Sequence, residues 1–280
     1  SPPQLVDALC DPSRPVFTFG SCPPREGTTD EQARESAMKF AESAWKLACD
    51  GFIVYDIQDE AGRTTVKRPF PFRPTIDPSG FGQLLSECSG KQCVIYKSVG
   101  EPSVAAFDKW LNACEKGHGH NALNLVGAAT SKRDIPGPTL GDAASRVLSR
   151  AASGSKMAFG CVTIAERHMS KGTEHLNIVR KMDLGAQWFI SQAVYDPDAT
   201  IALLNDYGDL CKKQRRRPVK VLLTFAPCGR RKTMTFVKWL GVAVPSHVEA
   251  AILEGAPELV DLGPDATKEQ KRAHLKEIQA

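Results

Sequence analysis

The sequence predicts a single (β/α)8 barrel of the TIM type whose last strand is missing or supplied elsewhere. Three observations carry that expectation. Short β-branched or apolar runs alternate with longer segments of helical spacing, which is the pattern of a parallel sheet covered by helices. The alternation repeats through seven strand–helix units without interruption, which favours closure into a barrel over an open doubly wound sheet. The chain has 280 residues, of which 42% are hydrophobic and 24% charged, an ordinary balance for one domain of this size. The barrel core is expected over about 16–255, with a polar, helix-like tail over 265–280 and no eighth apolar run.

The first strand is expected at Val16–Phe19. Apolar spacing then predicts a helix over Asp30–Cys49, with Thr29 or Asp30 at its cap. Phe52–Tyr55 reads as strand two, followed by a long loop rich in Pro and Arg, a helix near Ser79–Cys88, and strand three at Cys93–Tyr96. Pro102 opens a helix to Cys114, and Ala122–Val126 is strand four. Leu140–Arg150 reads as helix and Met157–Ile164 as strand five. Glu174–Leu184 is a helix stopped by Gly185, and Trp188–Ser191 is strand six. A helix over Asp198–Cys211, strand seven over Val219–Phe225 and a helical pattern over Lys232–Leu240 complete the series; Pro245 begins a further amphipathic piece.

A net charge of +4 is mild for this length and singles out no nucleic acid or acidic partner. Lys212–Arg217 and Arg230–Lys232 lack interleaved aromatics and read as solvated surface. No apolar stretch is long enough to span a membrane, and the first residues lack the pattern of a signal peptide. The nine cysteines are irregularly spaced without a CxxC, which suggests reduced thiols in the cytoplasm or an organelle matrix. No metal site is expected: zinc-type pairs are missing, and His118-Gly-His120 reads as a loop. A P-loop, a GxGxxG after a strand and a Gly-x-Ser-x-Gly elbow are all lacking.

In a barrel of this kind, function is sought at the C-terminal ends of the strands. The candidates there are Gly20–Arg25, Asp56–Glu60, Glu166-Arg-His168 and Gln192–Asp196. The helix after strand five places Asn177, Arg180 and Lys181 at i, i+3 and i+4. An amide, a guanidinium and an ammonium converging in that way can hold a diphosphate, and the same spacing also suits a solvated basic face.

Taken together, these clusters resemble the methylenetetrahydrofolate reductase family over about Val16 to Gly255. The resemblance rests on Pro23-Pro24-Arg25, Glu166-Arg167-His168, Asn177-Ile-Val-Arg180-Lys181, Asp183-Leu-Gly-Ala186, Ser191-Gln192-Ala-Val-Tyr195-Asp196 and the helix leading to Pro245. It implies FAD, NADH or NADPH as reductant, and a folate-like acceptor. It further implies that Glu166, His168, Asn177, Arg180 and Lys181 hold the cofactor, and that Gln192 and Tyr195 face the folate. Asp56 takes the place of a flavin-contacting residue and, with Gln192, is the expected catalytic pair; Lys97 falls near the place of a strand-three histidine.

Two departures mark the reactive end. The family's acidic Glu is replaced by Gly20, or by Thr18 if the turn carries an insertion, and its flavin-tuning Asp by Ala128; Val126 stands where the family has an Arg. Loss of a general acid costs about 10²–10⁴ in rate. A substitute acid would come from Asp56, Asp59, Glu60 or Glu166. The resemblance thus implies a divergent flavin oxidoreductase of one-carbon metabolism. Its alternatives are a catalytically inactive barrel serving as a binding or structural subunit, as a homo-oligomer or with a partner, and a barrel that uses folate for methyl transfer without flavin.

Overall fold

A computed structural model describes residues 4–59, 65–100, 102–127 and 136–256, together with Thr267, Glu269, Gln270 and Ala273. Glu60, Ala128 and most of the 265–280 tail lie outside the described residues. Seven strands, β1 (Thr18–Ser21), β2 (Gly51–Val54), β3 (Gln92–Ser98), β4 (Ala122–Val126), β5 (Ala158–Thr163), β6 (Trp188–Ala193) and β7 (Lys220–Thr224), form one sheet in sequential order. Every neighbouring pair is parallel. Among the described residues no strand pairs with the outer edge of β1 or of β7.

The strand residues alternate between two apolar layers, the arrangement of a sheet buried on both faces. Phe52, Val54, Cys93, Ile95, Leu123, Phe159 and Phe189 pack outward against the helices. These helices are α2 (Asp30–Trp45), α3 (Pro78–Ser89), α4 (Val104–Asn112), α5 (Leu140–Ala152), α7 (Glu174–Asp183) and α8 (Pro197–Lys213). Ile53, Val94, Tyr96, Ala122, Trp188, Ile190 and Leu222 form the second layer, together with Leu5, Val6 and Leu9 of α1 (Leu5–Cys10).

That short helix shows the sheet to be curled. The Leu5 amide donates to Gln92 Oε1 at the start of β3 (2.6 Å), and Asn121 before β4 donates to Gln4 Oε1 (2.8 Å). Lys220 at the start of β7 donates to the Ala8 carbonyl. One six-residue helix touches the N-terminal ends of β3, β4 and β7, so the sheet wraps around it as in a TIM-like barrel and α1 plugs the bottom.

Several boundaries depart from the sequence expectation. β1 begins at Thr18, two residues late, because Asp50 captures Phe17: its carboxylate accepts the Phe17 amide (2.9 Å) and its own amide donates to the Phe17 carbonyl (2.7 Å). The Phe17 ring is left 65% exposed. The helix expected from Pro102 starts at Val104, capped by Ser103, and Ala113–Gly117 form a π-helical turn. Helix α2 ends at Trp45, before the expected Cys49. Two elements were not anticipated, α1 and α6 (Ala165–Lys171), each too short to show periodicity.

His118 and His120 buttress the start of α3. His118 Nδ1 lies 2.8 Å from Ser79 Oγ and His120 Nε2 lies 2.8 Å from the Ser79 carbonyl oxygen. Burial holds the His120 pKa below its ordinary value of 6.5. The unfolded chain therefore takes up this proton more readily than the folded one, and stability is lost as pH falls below about 6.5. Urea midpoints measured between pH 8 and 5 are expected to fall less steeply in His120→Gln than in the parent.

Candidate functional site

Because all strands run parallel, Asp56, Ser98, Val126, Thr163, Gln192 and Thr224 stand at the same end of the sheet, the mouth. Asp56 is engaged by two donors. Its Oδ2 accepts the Ser98 amide at the end of β3 (2.7 Å), and its Oδ1 accepts Gln58 Nε2 (2.8 Å). The carboxylate thereby ties the ends of β2 and β3 together. Lys97 is turned outward, with its ammonium 4.9 Å from the Trp110 ring centre.

Gly20, which stands where the resemblance places an acid, is pressed against Tyr55. A Cβ on Gly20 would lie 2.6 Å from the Tyr55 hydroxyl, so no side chain fits there while the phenol holds this position. Tyr55 meets Tyr96 edge-on with ring centres 5.0 Å apart, and burial raises the Tyr55 pKa above 10.0.

Glu166 and Gln192 converge on one segment. Glu166 Oε1 accepts the Ala243 amide (3.0 Å) and Gln192 Nε2 donates to the Leu240 carbonyl (3.1 Å). They clamp the connection between α9 (Arg231–Trp239) and α10 (Ser246–Ile252) onto the ends of β5 and β6. Tyr195 is buried and donates to the Ala226 carbonyl (2.6 Å), fixing the segment after β7.

The segment between β2 and α3 reaches α9. Arg68 lies over three rings, with its guanidinium carbon 5.2 Å from the centre of Phe72, 5.4 Å from Phe236 and 5.3 Å from Trp239. Trp239 Nε1 donates to the Val66 carbonyl (2.9 Å). Cation–π contacts and stacking thus join the connection after β2 to the helix after β7. The only sequence signal was the concentration of Arg, Pro and Phe in 67–73.

The expected diphosphate set is dispersed by its own partners. His168 is buried, with Nε2 3.0 Å from Asp206 Oδ2 on α8. Lys181 does not share a free face with Arg180. It is buried, and its ammonium donates to the Val162 carbonyl (2.7 Å). Asn177 Nδ2 donates to Glu174 Oε2 (3.1 Å), while Glu174 Oε1 accepts the Thr163 hydroxyl and the Ile164 amide. Arg180 alone of the set is exposed. As placed, Glu174, Asn177 and Lys181 brace β5 against α7, and His168 links α6 to α8.

Two spaces adjoin the end of β6. The inner one, bordered by Thr163, Glu166, Gln192 and Leu203, has a volume of about 10 Å³, room for about one water. The outer one is an open apolar groove of about 380 Å³ between Val194, Tyr195, Phe225 and Pro227 on one side and Val248 and Ile252 of α10 on the other. Its volume is in the range of small-molecule sites. The Phe225 ring is 73% exposed there.

No family model and no curated protein matches this chain. A solved structure does. An uncharacterised protein from Clostridium thermocellum, which binds two copies of 5-methyl-5,6,7,8-tetrahydrofolic acid, is 28% identical, covering 94% of this chain and 83% of its own, with a TM-score of 0.69. A 2,3-dimethylmalate lyase of the PEP mutase/isocitrate lyase superfamily is 12% identical over 98% of this chain and 97% of its own, with a TM-score of 0.49. Phosphonopyruvate hydrolase is 13% identical over 98% and 96%, also with a TM-score of 0.49. Neither of these last two bears on function. No helix among the described residues is long and apolar enough to cross a membrane.

Proposed function

We propose that this chain binds a reduced folate of the 5-methyltetrahydrofolate class at the mouth of the barrel. The observation that carries this reading is the 28% identity, over 94% of the chain, to a protein that binds that compound. The chemistry of the mouth supports it. A reduced folate offers a polar pterin edge and a flat apolar aromatic body. Asp56 at the end of β2 and Gln192 at the end of β6 offer an acceptor and an amide once a ligand displaces their contacts with Gln58 and the Leu240 carbonyl, and the groove beside Phe225 supplies an exposed ring and apolar walls.

The finer reading, a flavin oxidoreductase passing hydride from NADH or NADPH through FAD to the folate, draws its support from the motif resemblance. To hold a diphosphate, His168, Asn177 and Lys181 would exchange their contacts with Asp206, Glu174 and the Val162 carbonyl for the ligand. A folate barrel without flavin, either a binding subunit or a methyl-transfer partner, asks less of these residues.

Calorimetric titration with 5-methyltetrahydrofolate is expected to give saturable binding. Gln192→Ala is expected to weaken it about 10-fold, the loss of about one hydrogen bond of 1.4 kcal/mol. No heat and no shift of the thermal midpoint at millimolar ligand would overturn the folate reading. Adding FAD to the same sample and following its visible spectrum under NADH or NADPH separates the flavin reading. A bound flavin that bleaches supports the reductase, and a colourless protein that still binds folate rejects it.

A further inference from the structure

Outside the mouth, α6, α7 and α8 bring together two imidazoles and a carboxylate. His168, His175 and Asp206 each offer one ligand atom, and these atoms lie within 4.8 Å of one another. The two rings stand perpendicular, with centres 5.1 Å apart, and His168 Nε2 is 3.0 Å from Asp206 Oδ2. His168 is 6% exposed, and Nδ1 of both His168 and His175 is buried with no hydrogen-bond partner among the described residues. A buried ring nitrogen left without a partner costs about 1–3 kcal/mol, and an ion that His168 reaches through Nε2, beside Asp206, would satisfy the one on His175.

We propose that His168, His175 and Asp206 bind a divalent first-row transition ion of the Zn²⁺ class. Imidazole nitrogens with one carboxylate suit such an ion, and three protein ligands leave a fourth position for water. Ligand atoms of a tetrahedral zinc with bonds of about 2.0–2.1 Å lie about 3.3 Å apart. The His168–Asp206 separation is already close to this, and the third ligand closes by small side-chain rotations, since the Asp206 side chain is 57% exposed and able to move. The ion would pin α6 and α7, which follow β5, to α8, which follows β6. Its role is that of a clip on the helical layer, independent of what binds at the mouth.

The test is a zinc titration of chelator-treated protein against a chromophoric chelator, with thermal unfolding in parallel. The expected result is one equivalent per chain, and a midpoint that rises with free Zn²⁺ as ligation of the folded state requires. His175→Gln and Asp206→Asn, at partly exposed positions, are each expected to weaken binding at least about 10-fold while leaving the zinc-free midpoint near that of the parent. His168→Gln is expected to do the same with some loss of stability, because that residue is buried. Absence of stoichiometric binding in the parent overturns the proposal. So does zinc uptake unchanged in His175→Gln and Asp206→Asn, which would place the ion on the free thiols elsewhere in the chain.

Discussion

Trp188→Ala lowers folding stability by about 3–5 kcal/mol, the range for deleting a large aromatic from a close-packed interior. Trp188 is fully buried in the inner layer of the sheet, in the same cluster as the α1 plug. Its indole crosses directly over Gly160. A Cβ on Gly160 would meet Trp188 Nε1 at 2.1 Å, so the ring occupies the space that the glycine leaves. Gly160→Ala is therefore expected to cost about 1–3 kcal/mol by overpacking. In the Trp188→Ala background the added methyl enters the cavity and its cost disappears, giving a coupling of about 0.5–3 kcal/mol. Urea denaturation of the parent, the two single variants and the double variant measures all four corners. Strictly additive effects would show that the two residues do not share this space. Trp188→Phe keeps most of the ring and removes an N–H that no atom of the described residues accepts, so it is expected to cost about 1.5 kcal/mol or less.

Glu174→Ala is expected to be nearly as damaging, by about 3–5 kcal/mol. The carboxylate is 1% exposed and accepts from Thr163, Ile164 and Asn177 at 3.3, 3.2 and 3.1 Å. It also offsets part of the burial of the Lys181 ammonium, whose pKa is held below 10.5 chiefly by burial and is raised in turn by Cys161 and Glu174. Alanine leaves three donors without an acceptor and takes away the carboxylate near a buried cation. Glu174→Gln retains acceptor oxygen and should cost about 1–3 kcal/mol. The sign of the pH dependence follows from Lys181. Its folded pKa is lowered, so between that value and the ordinary lysine value the unfolded chain binds more protons and stability rises with pH. The slope is expected to steepen in Glu174→Ala and to fall back in Glu174→Ala/Lys181→Met, the remainder coming from other groups such as Lys220, which burial also holds below 10.5. A double variant as pH-dependent as Glu174→Ala would show that the lysine is not the titrating group.

These two networks mark the boundary of what the sequence could reveal. Strands β2 to β7 fall on the predicted runs, because a strand buried on both faces must be written as a continuous apolar segment. The start of α2 was legible from its cap Thr29, whereas α4 begins after its cap Ser103, two residues later than Pro102 suggested. The face of α7 was not. Spacing places Asn177, Arg180 and Lys181 side by side, but which side of a helix faces the sheet is settled by packing. Here packing turns Lys181 inward onto Val162 and leaves Arg180 in solvent.

The sequence by itself determined the alternation of elements, their order and the end of the sheet at which to look for a ligand, since periodicity and chain direction are local properties. Only the tertiary structure decided which polar groups remain free. Asp56 is tied to β3, Gln192 and Glu166 to the 240–243 segment, and His168 to an aspartate 38 residues away. Each of those bonds joins residues distant in the chain, and the geometry that forms them exists only once the sheet has curled around α1.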